Sequence, residues 1–130
     1  MTIKEVSEKY GLTQDTLRYY ERVGMIPAVR RTSGGIRDYS ESDLGWVELA
    51  VCMRSAGLPV EALIEYVKLF REGDSTIPAR AQLLRDQRDA LLDQRAKIDA
   101  TLERLNYKIS RYEEAEKTGV LSWDGGSCKK

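Results

Sequence analysis

Histidine is absent from this chain of 130 residues, which removes the side chain that most often moves protons near neutral pH or ligates a transition metal. Cysteine occurs only at Cys52 and Cys128, too sparsely for a disulfide framework or a thiolate metal cage within one subunit. No Gly-rich loop precedes a helix and no paired carboxylates sit in a pocket-forming context, so an enzyme is the weakest functional class. Apolar residues make up 42% of the chain but never run long without a charge, which excludes a membrane span. The opening Met1-Thr2-Ile3-Lys4-Glu5 lacks the charged-then-apolar layout of a secretory signal, so a cytoplasmic location is expected. Neither sign of charge prevails: 21 basic and 21 acidic residues cancel, which argues against nucleic-acid binding through bulk charge.

The local distribution is less even. Residues 1–40 carry seven Lys/Arg against five Asp/Glu, and Arg18, Arg22, Arg30, Arg31 and Arg37 fall within twenty positions. Thr2 followed by Glu5 is a capping box that opens a short helix with Ile3, Val6 and Tyr10 near one face, and Gly11 ends it. Thr13 caps a second helix over 14–22, with Leu17 and Tyr20 able to point inward and Gln14, Arg18 and Glu21 outward, and Gly24 stops it. Two short helices across a tight glycine turn make a helix-turn-helix. Residues 25–39 are rich in Pro, Gly, Arg and β-branched types, and Ser33-Gly34-Gly35 predicts a hairpin wing. Ser40 to Asp43 is a second capping signature, opening an apolar helix that Gly57 and Pro59 end, and a fourth helix follows over about 60–71.

From Ile77 to Glu116 a seven-residue repeat appears. Leu84, Leu91, Ile98, Leu105 and Tyr112 share one position, and Ala81, Arg88, Arg95, Leu102 and Ile109 lie three residues before each. A helix roughly 60 Å long exceeds what a domain of about 70 residues can cover, so its seam calls for a second copy of the chain. Arg88 and Arg95 weaken the first half of the seam, which favours an antiparallel pairing or arginine heads that snorkel out. The tail either stays flexible or tucks Trp123 against a neighbouring subunit.

The expected fold is therefore all-α with a small β wing. A winged helix-turn-helix DNA-binding domain spans 1–71, with the helix-turn-helix at about 3–23, the wing at about 25–39 and connector helices at about 41–71. A long dimerisation helix, an antiparallel coiled coil, spans 76–117, and a short tail spans 118–130. The run Thr16-Leu17-Arg18-Tyr19-Tyr20-Glu21-Arg22 with Arg30, Arg31 and Arg37-Asp38-Tyr39 supplies phosphate partners, groove-reaching hydroxyls and flat packing surfaces. Leu84, Leu91, Ile98, Leu102, Leu105, Ile109 and Tyr112 are the expected dimer interface.

The string Leu17-Arg18-Tyr19-Tyr20-Glu21-Arg22-Val23-Gly24-Met25-Ile26-Pro27, with Arg37-Asp38-Tyr39 after it, resembles the MerR family of bacterial transcription regulators. The likeness extends over essentially the whole chain. Cys52 to Leu58, Leu63 to Tyr66, Leu69-Phe70 and Gly73-Asp74 look like the aldehyde- and stress-responsive branch of that family. The resemblance implies a homodimer bound to double-stranded promoter DNA, bending and untwisting an overlong spacer so that RNA polymerase engages both elements. On the matching positions it implies Arg18, Tyr19, Arg37 and Tyr39 as backbone anchors and Gln14, Asp15 and Thr16 as groove-facing residues. Thr13, Tyr20, Arg22, Arg30 and Arg31 complete the expected DNA-contact set, although Tyr20 also reads as a core aromatic.

The chain departs from metal-sensing members: Ser75-Thr76-Ile77 stands where a first cysteine belongs, and neither a metal nor any other cofactor is expected. A large additional C-terminal drug-binding domain is likewise not expected. Cys52 reads two ways. As a residue in an apolar helix beside Glu48 it is a small buried hydrophobe; by resemblance it is a thiol that senses reactive carbonyls or oxidants. Cys128, beside two lysines in a Gly/Ser tail, is the more accessible thiol. A different functional class also stays open, a constitutive DNA-binding or architectural coiled-coil protein without any thiol effector.

Overall fold

In the computed structural model the chain is described from Met1 to Trp123. It contains α1 (Ile3–Tyr10), α2 (Gln14–Val23), α3 (Glu41–Ser55), α4 (Val60–Glu72), a 3-10 turn (Asp74–Thr76) and α5 (Ile77–Thr118). Each boundary has a local cause. The Thr2 hydroxyl accepts from the Glu5 amide while the Glu5 carboxylate accepts from the Thr2 amide, and Ser40 and Asp43 repeat that exchange at the start of α3. The Thr13 hydroxyl accepts from the Thr16 amide, and Gly24, at φ 85°, turns the chain out of α2 in the left-handed region where a Cβ is costly.

One compact unit runs from Met1 to Arg88. Its core gathers Val6 of α1, Leu17 and Tyr20 of α2, Met25, Ile26, Val29 and Tyr39 of the intervening segment, Val47 and Ala50 of α3 and Leu63 of α4. The turn between α1 and α2 is held by the Ser7 hydroxyl, which donates to the Leu12 carbonyl. The wing is slighter than the predicted hairpin. A single antiparallel bridge, Arg31 to Arg37, joins its arms, with Thr32 N–H donating to Ile36 O (2.7 Å) and Gly35 N–H to Thr32 O (2.9 Å). Too few residues pair there for strands to propagate.

The second unit begins at Asp89 and holds most of α5. No residue of α5 is buried, and Ile98, Leu102, Leu105, Ile109 and Tyr112 are each about half exposed. After the helix the chain turns back on itself. Arg111 donates through Nε to Ser122 O and through Nη2 to Ser122 Oγ, both at 2.9 Å, and Trp123 lies against Tyr107 and Tyr112, ring centroids 6.3 and 5.9 Å away. Trp123 thus rests on its own helix. Cys128 lies outside the described residues. No described helix is long and apolar enough to cross a membrane.

Candidate nucleic-acid interface

Helix α2 presents a polar outer face because its two core residues, Leu17 and Tyr20, are spent inward at 0% and 7% exposure. On the outer side Arg18 donates to Asp15 Oδ1 (2.9 Å) and to Gln14 Oε1 (3.3 Å), which lays its guanidinium along the first turn. The pair is solvent-exposed, so it holds Arg18 weakly against a competing phosphate. Tyr19 is 38% exposed, and the Arg22 guanidinium carbon stands 5.5 Å from its ring centroid. Thr13 and Thr16 hydroxyls are 2.8 Å apart at the start of the helix. Of the expected α2 contacts, Asp15, Tyr19 and Arg22 are thus exposed and Gln14, Thr16 and Arg18 partly so.

The wing rises beside this face. Arg30 pairs with Asp38 at 3.3 Å, and Arg31 reaches back to Gly35 O at 3.0 Å. Arg30 and Arg31 are exposed, as is Ile36 at the tip, which is an apolar side chain presented to solvent. At the base, Tyr39 N–H donates to Met1 O (2.8 Å) and the Met1 amine donates to Tyr39 O (2.9 Å). That amine, with Arg30, holds the Asp38 carboxyl below the usual aspartate range.

Three expected contact residues are placed elsewhere. Tyr20 packs in the core, where burial pushes its phenol above the usual range. Tyr39, expected as a phosphate anchor, is 2% exposed; its hydroxyl is buried without a protein partner, and burial likewise raises its pKa. Both are aromatic side chains on inward-facing positions, and the apolar area they bury outweighs the phenol's call for solvent. Arg37, the third, is turned back onto α2: its Nε donates to Glu21 Oε1 at 2.6 Å and its side chain is only 19% exposed. Glu21 itself, expected to face outward, is 13% exposed, and its second oxygen accepts from Val29 N–H at 3.1 Å. The opposite charges of Glu21 and Arg37 were a signal of this pairing that helical periodicity alone does not register.

Of the two readings of Cys52, the buried hydrophobe is the one the structure contradicts. On α3 its side chain is exposed rather than buried, because the apolar face of that helix is carried by Val47 and Ala50. A modification at this thiol therefore meets no packed core in a single chain. Among the described residues no group of three or more His, Cys, Asp or Glu converges as metal ligands would.

Residues 1–78 match the model of the MerR HTH family regulatory proteins. The chain is 56% identical over 93 residues to the HTH-type transcriptional regulator AdhR of Bacillus subtilis, covering 72% of this chain and 66% of AdhR. A MerR-family transcriptional regulator from Listeria monocytogenes superposes with a TM-score of 0.85 at 47% identity, over 87% of this chain and 86% of that one. The MerR family regulator HiNmlR, which lacks the sensor domain and was crystallised on promoter DNA, superposes with a TM-score of 0.82 at 30% identity, over 92% and 95%. The relatives named are transcription regulators, and the chain spans just under two thirds of AdhR.

Proposed function

The chain belongs to the MerR family of helix-turn-helix regulators, and from that premise we propose that it acts as a homodimeric promoter-binding activator that works by deforming DNA. The observation that carries this reading is that Tyr19 and Arg22 on α2 and Arg30 and Arg31 on the adjoining wing are exposed, with the Arg18 side chain 43% exposed beside them. Cations and a phenol at one end of a neutral protein favour local phosphate anchoring over non-specific attachment. HiNmlR on its promoter, at 30% identity over nearly the whole chain, supports duplex DNA as the partner. The half-exposed seam Ile98, Leu102, Leu105, Ile109 and Tyr112 supports self-association through α5, and the arginines at 88 and 95 favour an antiparallel arrangement. Two DNA-binding units held at a fixed separation bend and untwist an overlong spacer, presenting both promoter elements to RNA polymerase.

The test is binding and bending of the intergenic DNA upstream of the chain's own gene. Affinity is expected to fall steeply with salt, and the bound duplex to migrate as bent in a circular-permutation assay. Salt-insensitive binding would instead assign the chain to the architectural coiled-coil class.

The exposure of Cys52 favours a second element of this reading, response to a small electrophile. Addition of the sulfur to an aldehyde carbon, with the thiol proton passing to the carbonyl oxygen, places a new polar group on α3 and biases the dimer between two shapes. With purified polymerase and a small aldehyde, wild type is expected to gain transcription and Cys52→Ser to remain flat at equal DNA binding. Equal responses of the two proteins would reduce Cys52 to a surface residue.

A further inference from the structure

The wing's arms are tied to each other by one ladder bridge and by hydrogen bonds such as Thr32 N–H to Ile36 O (2.7 Å) and Asp38 N–H to Arg30 O (2.8 Å), none of which reaches α2. Val29 and Tyr39 anchor its base in the core. At the same base, one carboxylate ties it to the helix. Glu21 Oε1 accepts from Arg37 Nε at 2.6 Å and Oε2 accepts from Val29 N–H at 3.1 Å, so a single side chain of α2 engages the outgoing arm and the returning arm together. Both side chains are largely covered, at 13% for Glu21 and 19% for Arg37. A carboxylate so placed is costly to desolvate unless both oxygens are satisfied, and here both are. The neighbouring cations behave differently, because Arg18 and Arg30 make their ion pairs in solvent.

We propose that Glu21 is a positioning residue for DNA binding: it sets the distance between α2 and the wing, and Arg37 is the other end of that strut rather than a phosphate anchor. The inference rests on the DNA-binding reading above. Through the strut, Arg31 and the exposed Ile36 are carried at a fixed offset from Arg18 and Tyr19, which is what a protein spanning adjacent phosphates of one duplex requires. Loss of either end frees the wing without removing a DNA contact.

The experiment compares wild type, Glu21→Gln, Arg37→Gln and the double variant on a duplex that wild type selects from a randomised pool, across a salt series. Circular dichroism at the assay temperature confirms that each is folded. Each single variant is expected to weaken binding about tenfold, as loss of a charge-assisted bond would, and the double variant no further. The salt slope is expected to stay unchanged, whereas removing a phosphate anchor lowers it by about one. If Arg37→Gln fails to fold, Arg37→Lys, which keeps the charge and loses the Nε donor, takes its place. A reduced slope for Arg37→Gln with normal binding by Glu21→Gln would overturn the strut and make Arg37 an anchor. Folded variants that are less stable yet bind normally would also overturn it.

A second readout needs no DNA. Trypsin is expected to cut after Arg30 and Arg31 several-fold faster in Glu21→Gln than in wild type, since a loosened wing opens locally more often. If wild type selects no duplex, the DNA reading fails while this cleavage ratio still decides the strut, and equal rates would sink it.

Discussion

Replacing Tyr39 by Phe removes one oxygen, and the structure gives that oxygen an unusual position. The ring is 2% exposed in the core of the first unit, and the hydroxyl is fully buried with no protein hydrogen-bond partner. Leaving a buried hydroxyl unpaired costs about 1 to 3 kcal/mol relative to keeping it in water, while the ring contributes the same apolar area with or without it. Tyr39→Phe is therefore expected to stabilise the unit by about 1 kcal/mol, the low end being taken because a core relaxes around a smaller group. For a unit of this size the urea dependence is about 1 kcal/mol per molar, so the midpoint should rise by about 1 M. The measurement is a urea titration followed by circular dichroism at one fixed protein concentration, since self-association feeds into apparent stability. DNA affinity and its salt slope should be unchanged. Destabilisation by about 1 kcal/mol would show that the hydroxyl is bonded in the folded protein, and a salt slope lower by about one would return Tyr39 to the phosphate contacts.

Three further outcomes follow from the same geometry. Leu17→Ala leaves a cavity at a site with 0% exposure between α1, α2 and α3, and should cost about 3 kcal/mol in the same titration. Glu5 has its carboxyl held below the usual glutamate range by the backbone and side chain of Thr2, so its contribution is present above the unfolded pKa and is lost as pH falls through the lower folded one. Wild type should thus exceed Glu5→Gln in stability near neutral pH, and the difference should close on the acid side of about pH 4. Leu102→Asp puts a charge in the α5 seam, where the leucine is 48% exposed in the single chain, and should shift sedimentation from dimer to monomer while circular dichroism retains the helix.

The helices were legible in the sequence because their ends are written locally. Thr2 with Glu5, Thr13, Ser40 with Asp43 and Gly24 act within three residues of themselves, and the structure places the caps at those residues. The long helix was equally legible, since a seven-residue repeat free of glycine is a property of adjacent turns. The inward direction of Leu17 and Tyr20 followed from periodicity on one short helix. Only the tertiary structure decided the fates of Glu21, Arg37, Tyr39 and Cys52. Glu21 and Arg37 lie sixteen residues apart, and their pairing depends on how the wing folds back over α2, which no local pattern encodes. Tyr39 reads as one more phenol in a basic segment, yet the Met1 to Tyr39 backbone pairing turns its ring into the core and withdraws it from the surface. Cys52 lies in an apolar stretch, but which side of α3 meets the core was set by the packing of α1 and α4 against Val47 and Ala50. Short-range hydrogen bonding and helical period were fixed by the order of residues; long-range contact required the folded chain.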